Sequence, residues 1–278
     1  MRDFSGKVVV VTGAANGIGR EMVRAFAQRG AGLALADIDE SGLLALKEEL
    51  EKAGCDVYAQ VVDVSLAADV GDLCDNVYRE MGRADVLCNN AGVALGGDFE
   101  RMTLDDLHWL IGVNLMGVIH GCHFFYPRMI EQGGGHIVNT ASAAGLIPFA
   151  GLALYSCSKY GVVGLSETLR AEAALHGVGV TVVCPGVIAT DIVQRSRIKS
   201  GSERNTSADM IAKMDRILKS RGYTPDRVAS ATLRAVEKNL SVARVTPETY
   251  LMDYLHRFSR GVFGFGMACA ARIAQRIF

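Results

Sequence analysis

What this 278-residue chain lacks narrows its function before any motif is considered. It carries no excess of charge. Its 29 Lys and Arg against 30 Asp and Glu leave a formal net charge of -1, and no long basic run occurs, so nothing draws it to nucleic acid. It has seven cysteines but no C-x-x-C pair. Cys55, Cys74, Cys88, Cys122, Cys157, Cys184 and Cys269 sit mostly in apolar runs such as ADVLCNN and VTVVCPG, which reads as reduced, buried thiols and a cytoplasmic setting. His120 and His123 have helical spacing but lack the partners that would complete a ligand set, so no metal is expected. The N-terminus holds only a short apolar run, too little for a signal peptide. No segment reaches the roughly 20 consecutive apolar residues of a membrane span. There is no internal repeat, no low-complexity segment and no Pro- or Ser-rich linker.

What is present is an alternation of two periods. Short apolar runs predict strands at Lys7–Val11, Leu33–Ala36, Val57–Val62 and Ala84–Cys88, and again at His136–Thr140, Val178–Cys184 and Val242–Thr246. Between them, helical spacing predicts helices over Gly17–Arg29, Ser41–Ala53 (with Gly54 as its stop), Ala67–Met81, Thr103–Ile130, Leu152–Leu175 and Pro225–Asn239. Strand and helix in turn imply an α/β fold, a doubly wound, Rossmann-like parallel sheet of about seven strands with helices on both faces. Half the residues are hydrophobic, ample for one large core. Residues 1–247 are therefore read as one domain, with a charged segment at about 188–221 read as a substrate loop with short helices. Residues 248–278 are read as a helical tail that is not an independent domain.

The first strand runs into Thr12-Gly13-Ala14-Ala15-Asn16-Gly17-Ile18-Gly19 and then a helix. Glycines there let the backbone approach a pyrophosphate, and the helix start behind them offers unpaired N–H groups. Their place at the opening of a βαβ unit is the context such a motif needs. Asp37 ends the second strand, 18 residues beyond Gly19. A carboxylate there can accept from the adenosine ribose hydroxyls and would repel a 2′-phosphate, and residue 38 is Ile, not Arg. The expected cofactor is NAD, with Asp39 as a competitor for the role of Asp37.

Six motifs in order make the stretch from about Lys7 to about Thr190 resemble the short-chain dehydrogenase/reductase family: TGAANGIG at 12–19, DV at 63–64, NNAG at 89–92, Asn114 in VNLMG, Ser142 with Tyr155-Ser156-Cys157-Ser158-Lys159, and PGVIAT at 185–190. The resemblance implies a catalytic set of Ser142, Tyr155 and Lys159, with Asn114 as its fourth member. It implies that Asp63 and Val64 contact the adenine, that Asn90, Ala91 and Gly92 bind the cofactor from the turn after the fourth strand with Asn90 near its ribose, and that Pro185, Gly186, Ile188 and Thr190 hold the nicotinamide carboxamide. Gly13, Asn16, Gly17, Ile18 and Gly19 complete the cofactor set. Cys88 stands where a valine is common and Ala141 where a second serine is common; neither change removes a reacting group.

These residue types suit hydride chemistry. A ketone gaining hydride develops negative charge on oxygen and needs an acid there. The tyrosine reference pKa of about 10 makes a poor base at neutral pH, and a nearby ammonium lowers it. Tyr155 and Lys159 are four residues apart on one helix face. Ser142 follows a strand, at the crevice where ligands bind in open parallel sheets, and its hydroxyl can stabilise the developing charge. Asn114 lies mid-helix, where asparagine is a poor helix former, and its amide could hold a water that leads from Lys159 to solvent.

The expected substrate is an apolar secondary alcohol or ketone, in a pocket walled by Val93–Leu95, Ala143, Ala144, Gly145, Leu146, Phe149 and the 188–221 segment. Arg195, Arg197 and Lys199 keep an anionic substrate group open. The tail repeats Tyr250, Leu251, Tyr254, Leu255 and Phe258 at helical spacing and ends in an apolar, arginine-bearing stretch. It reads as a helix docked on its own or a partner subunit, with peripheral membrane contact as the alternative. The resemblance also implies a homodimer or homotetramer built through the two long helices. Rival readings are an epimerase or dehydratase and a non-catalytic NAD-binding scaffold. The first of these usually carries a larger C-terminal domain, and the second tends to lose the tyrosine or lysine that this chain keeps.

Overall fold

All five residues of strand β1, Val8–Thr12, are buried, as the all-valine run demands of a strand covered on both faces. The computed structural model describes every residue except 2, 191, 193–195, 200–215, 217–222 and 278. After β1 come α1 (Gly17–Ala27), β2 (Gly32–Asp37), α2 (Glu40–Lys52), β3 (Val57–Val61), α3 (Ala67–Met81) and β4 (Val86–Asn89). Then follow β5 (Leu95–Gly97), α4 (Leu104–Ile111), α5 (Gly117–Glu131), β6 (Gly135–Thr140), α6 (Ala153–Ala173), β7 (Val178–Cys184) and β8 (Arg197–Lys199). The described chain closes with α7 (Pro225–Lys238), β9 (Val242–Arg244), α8 (Pro247–Phe258) and α9 (Arg260–Ile277).

Seven strands pair in the order β3-β2-β1-β4-β6-β7-β9, every pair parallel. Each face is covered by its own core. Val70, Leu73 and Val77 of α3, Phe125 and Met129 of α5 and Val162 of α6 fill one. Met22, Val23 and Phe26 of α1, Leu43, Leu46 and Leu50 of α2 and Val228 and Val236 of α7 fill the other. This is the doubly wound, Rossmann-like sheet expected. Its strand order reverses between β1 and β4, which opens a crevice at their C-terminal ends.

The differences are local. The single helix expected over Thr103–Ile130 is continuous but changes pitch. It opens at a capping box in which Thr103 Oγ1 accepts from Asp106 N and Asp106 accepts from Thr103 N, and Gly112–Met116 is a π-helical turn between α4 and α5. By length and composition this 28-residue run, Leu104–Glu131, could cross a membrane, yet Val118, Cys122, Phe125 and Met129 pack it onto the sheet. The segment expected as a loop with short helices contains a strand, β8, which pairs in parallel with β5 to form a two-stranded ribbon beside the main sheet. Most of the rest of that segment, Arg195 included, lies outside the described residues.

The tail is tied to the domain rather than hung from it. Asp253 on α8 is 1% exposed and accepts from Arg244 of β9 and from Arg257. Thr249 is buried with Thr246, their hydroxyls 2.9 Å apart. Further out the chain is apolar and open to solvent: Phe258 is 92% exposed.

Candidate active site

A cleft of about 430 Å³ occupies the crevice between β1 and β4. Its floor is the turn after β1. Gly13 has φ +65, and a Cβ there would lie 2.8 Å from Ala91 Cα, so only glycine lets this turn meet the one after β4. Thr12 joins the two turns: its Oγ1 accepts from Asn90 N at 3.0 Å and Ala91 N at 3.1 Å. Gly17, with φ +53, opens α1 toward the cleft.

Asp37 stands at the C-terminal end of β2 and lines the cleft. One carboxylate oxygen accepts from Ala15 N at 2.9 Å, the other from Asp39 N at 2.9 Å. Each oxygen keeps a further lone pair, so the group can still take a hydroxyl. Asp39 is engaged otherwise. It caps α2 through Gly42 N and accepts from Ser41 Oγ and from Asn16 Nδ2 at 3.0 Å, and it does not line the cleft as Asp37 does. One oxygen of Asp63 accepts from Ser65 N and Oγ and fixes the turn that carries Val64 into the cleft.

The opposite wall carries the residues expected to be catalytic. Tyr155 and Lys159 lie one turn apart on α6, and Ser142 follows β6; all three line the cleft. Lys159 is 4% exposed and donates to Thr140 O at 2.9 Å. Its Nζ is 5.9 Å from the centre of the Tyr155 ring. Burial pushes the Lys159 ammonium down to about 8. Burial raises the Tyr155 phenol above its ordinary value, and a hydrogen bond with Ser142 pulls the other way. Ser142 Oγ also accepts from Ala144 N at 3.2 Å. At neutral pH the pair thus rests as phenol and ammonium, an acid held beside a cation.

Of the residues expected at the cofactor, Gly13, Asn16, Gly17, Ile18, Asp37, Asp63, Val64, Asn90, Ala91, Gly92, Tyr155, Lys159, Pro185, Gly186, Ile188 and Thr190 line this cleft. Gly19 does not. It is buried behind the loop, where a Cβ would lie 2.0 Å from Gly13 O and 2.6 Å from Asn90 Nδ2. Its absence of a side chain lets α1 close on the turn. Asn90 reaches the cleft, but its amide donates to Thr12 O at 3.1 Å and Gly13 O at 3.3 Å, which holds the glycine turn in place.

Asn114 also lies behind the wall. Its side chain accepts from Val93 N at 2.8 Å and donates to Val93 O at 2.9 Å, with Ser158 Oγ at 3.3 Å. These bonds engage both amide donors, to Val93 O and Ser158 Oγ, and leave one lone pair on Oδ1. Asn114 sits on the π turn and holds the Val93 backbone; at the neighbouring Gly92 a Cβ would lie 3.3 Å from its Oδ1 and 3.6 Å from Lys159 Nζ. Ala143, Ala144, Gly145 and Leu146 are buried in the core, not exposed to the cleft as expected, because Ala143 N is drawn onto Pro185 O at 2.7 Å. Gly186 abuts the start of the tail: a Cβ on it would lie 2.2 Å from Thr246 Oγ1.

Ile192, in the segment expected to wall the substrate pocket, lines the cleft; Ile38, Val62, Ser65, Trp109, Val113, Thr140 and Ala141 line it as well and had no expected place there. Thr140 and Ala141 directly precede Ser142, and Val62 directly precedes Asp63, so strand-end position could have found them. Trp109 and Val113, four residues apart, share a helix face, but that this face meets the cleft depends on how the helix packs. Arg197 and Lys199, kept open for an anion, both pair with Asp106, at 3.3 and 3.0 Å.

Among the described residues no cluster of three metal-ligating side chains occurs; His120 Nδ1 lies 3.0 Å from Val64 O. All seven cysteines are unpaired, and burial pushes Cys74, Cys88, Cys122 and Cys184 up to about 12.

A family model described as short chain dehydrogenase matches residues 7–201. "Probable oxidoreductase EphD" of Mycobacterium tuberculosis (strain ATCC 25618 / H37Rv) is 38% identical over 256 residues, 91% of this chain. The match covers 43% of that protein, so the chain spans less than half its length. "C alpha-dehydrogenase" of Sphingobium sp. (strain NBRC 103272 / SYK-6) is 35% identical over 247 residues, 86% of this chain and 80% of its own. A crystal structure of a short chain dehydrogenase/reductase from Burkholderia phymatum in complex with NAD covers 94% of this chain and 96% of its own, at 34% identity and a TM-score of 0.87.

Proposed function

Because this chain belongs to the short-chain dehydrogenase family, we propose that it is an NAD-dependent oxidoreductase acting on a secondary alcohol or ketone, with Tyr155 exchanging the proton. The observation that carries the reading is convergence: Ser142, Tyr155 and Lys159 line the same cleft as the glycine turn and Asp37. The residues present fit a dinucleotide. The turn is closed to any Cβ at Gly13, backbone N–H groups open toward the cleft at the start of α1, and Asp37 offers acceptors to a ribose diol. Asp37 also disfavours a 2′-phosphate, and its neighbour Ile38 offers no cation, so the reading is NAD over NADP; the NAD of the Burkholderia phymatum structure accords with it.

Bound NAD would supply the hydride acceptor or donor. The chain's own residues would do the rest. Tyr155 donates a proton to the carbonyl oxygen in reduction and takes it from the hydroxyl in oxidation. Ser142 holds that same oxygen. Lys159, still largely ammonium at pH 7 with a pKa of about 8, favours the phenolate that remains after donation. Asn114 acts through others: it holds the Val93 backbone beside Gly92, against which Lys159 lies.

Val93, Ala141, Ile188 and Ile192 give the substrate end apolar walls, which supports an apolar alcohol or ketone over a sugar or an anion. Assembly as a homodimer or homotetramer is part of the proposal; exposed Met116 and Tyr160 on the long helices support it, and light scattering tests it. The exposed tail residues Phe258, Val262 and Phe265 support a docked partner copy, with a membrane surface as the alternative. The unpaired cysteines favour a reducing, cytoplasmic setting.

The test is to mix the protein with NAD and a panel of apolar secondary alcohols and follow the absorbance of the reduced cofactor. Turnover with NAD and little with NADP is expected. Tight NAD binding with no turnover across the panel, or in the reverse direction with the ketones, would favour the non-catalytic scaffold.

A further inference from the structure

We propose that Trp109 is a specificity-determining residue of the substrate end, and that the substrate it selects carries a flat, unsaturated ring beside the reacting carbon. The inference rests on the reaction class proposed above and names the substrate class for that same site.

Trp109 lines the cleft. With Tyr155 and Val93 it packs against a small cluster of Leu95, Leu110 and Leu154 that is separate from the two cores of the sheet. The indole is therefore on the same patch of wall as the reacting phenol. It is also pinned. The guanidinium carbon of Arg197 stands 4.0 Å from the centre of the ring. Arg197 in turn donates to Asp106 at 3.3 Å, and Lys199 pairs with that same carboxylate at 3.0 Å. Asp106 is 2% exposed, and the Thr103 amide and Lys199 hold its carboxyl well below the usual carboxylate range, so it stays an anion throughout the working pH range.

The ribbon of β5 and β8 fixes the height of this clasp. Arg197 N donates to Ala94 O at 3.1 Å and Asp98 N to Lys199 O at 2.9 Å. Gly97 has φ +122, and a Cβ there would lie 1.9 Å from Lys199 O, so the two strands close only over glycine. A buried carboxylate, two cations and an obligatory glycine thus fix the arginine that stacks on a ring which also lines the cleft.

A fixed indole discriminates by shape and by charge distribution. A saturated ring and an aryl ring of equal size bury similar apolar area against it. Only the aryl ring can also adopt the offset or edge-to-face contact between quadrupoles, an advantage of about fivefold in binding. Of the cations kept open for an anionic substrate, Arg197 and Lys199 are both turned onto Asp106, which favours a neutral ring at this wall.

Trp109 is the single tryptophan of the chain, so its emission reports this wall directly. The experiment compares 1-phenylethanol with 1-cyclohexylethanol on the NAD-loaded enzyme. The phenyl compound is benzylic, so its intrinsic reactivity differs, but equally for wild type and variant. The phenyl-to-cyclohexyl ratio of kcat/KM should fall about fivefold in Trp109→Leu, through KM, and Trp109→Phe should keep most of it. An unchanged ratio in Trp109→Leu overturns the proposal. In parallel, acetophenone is titrated against the tryptophan emission. If neither alcohol turns over, the reaction class proposed above fails on its own, and fluorescence decides the wall: saturable quenching upholds it, while quenching that rises linearly with concentration overturns it too.

Discussion

Replacing Lys159 by methionine should give a protein at least as stable as the wild type near neutral pH and nearly devoid of activity. Lys159 is 4% exposed and burial lowers its pKa from 10.5 to about 8. A folded-state pKa below the unfolded one means that the unfolded chain holds more protons between pH 8 and pH 10.5, so stability rises with pH through that window. Below pH 8 the full cost of charging the buried amine is present. A difference of about 2.5 units corresponds to about 3 kcal/mol. Against this stands the single bond from Nζ to Thr140 O, worth about 1.5–3 kcal/mol for a charged donor. Methionine has nearly the same length and no charge, so the two terms leave the variant level with the wild type or up to about 1.5 kcal/mol above it at pH 7. Between pH 8 and pH 10.5 the wild type should then gain about 3 kcal/mol on the variant. Urea unfolding of both proteins without cofactor, at pH 7, 9 and 10.5, reads this difference directly, since all other titrating groups are shared. Turnover should fall by about 10²-fold or more, because the phenolate loses its cation. A stability difference that does not change with pH, or a variant that retains turnover, would refute the reasoning.

Three other outcomes follow from particular contacts. His136 is buried, bonded to Thr181 Oγ1 at 2.8 Å, and its pKa is lowered to about 3 by burial; it folds neutral, so up to about 5 kcal/mol of stability should be lost as pH falls from 6.5 to 3, and His136→Gln should flatten that acid limb in unfolding titrations. Asp37→Ala should weaken NAD about tenfold or more and bring NADP affinity closer to it, measured by calorimetry with each dinucleotide. Gly186→Ala should displace the Pro185 turn, since the new Cβ would lie 2.2 Å from Thr246 Oγ1, and weaken NAD; adding Thr246→Ala should recover part of the loss.

The sheet was legible because each of its strands is a short apolar run between helical stretches; Val8–Thr12 and Val178–Cys184 could be read as little else. The cofactor turn was legible for the same local reason, since glycine spacing after a strand and before a helix is a backbone property. The β5–β8 ribbon was not. Each strand has three residues, one of them runs Leu-Gly-Gly, and the pairing joins positions about a hundred residues apart. Pairings of that kind arise from tertiary placement, and Asp106, Arg197 and Lys199 fall together only when the ribbon has formed.

The same limit explains the contacts that the sequence did not show. Asn114 was visible as an anomaly in a helix, but that its amide would clasp both backbone groups of Val93 depends on a turn 21 residues away. Gly19 and Asn90 carry the glycine-loop pattern, yet one serves helix closure and the other holds the turn's carbonyls. Ala143 to Leu146 look like loop residues free to line a pocket; the bond from Ala143 N to Pro185 O turns them into the core. Tyr155, Lys159 and Ser142 needed no such help for the first two, since four residues on a helix fix their shared face, while Ser142 joined them through the strand end that parallel sheets present to ligands.

The central claim is that the Tyr155 phenol exchanges the proton during NAD-dependent oxidation and reduction. Tyr155→Phe removes one oxygen from a ring that otherwise keeps its packing against Leu95, Leu110 and Leu154. With an alcohol that the wild type oxidises, kcat/KM should fall at least 10²-fold while NAD binding, measured by calorimetry, stays within about twofold. A phenylalanine variant that turns over at the wild-type rate would contradict the account.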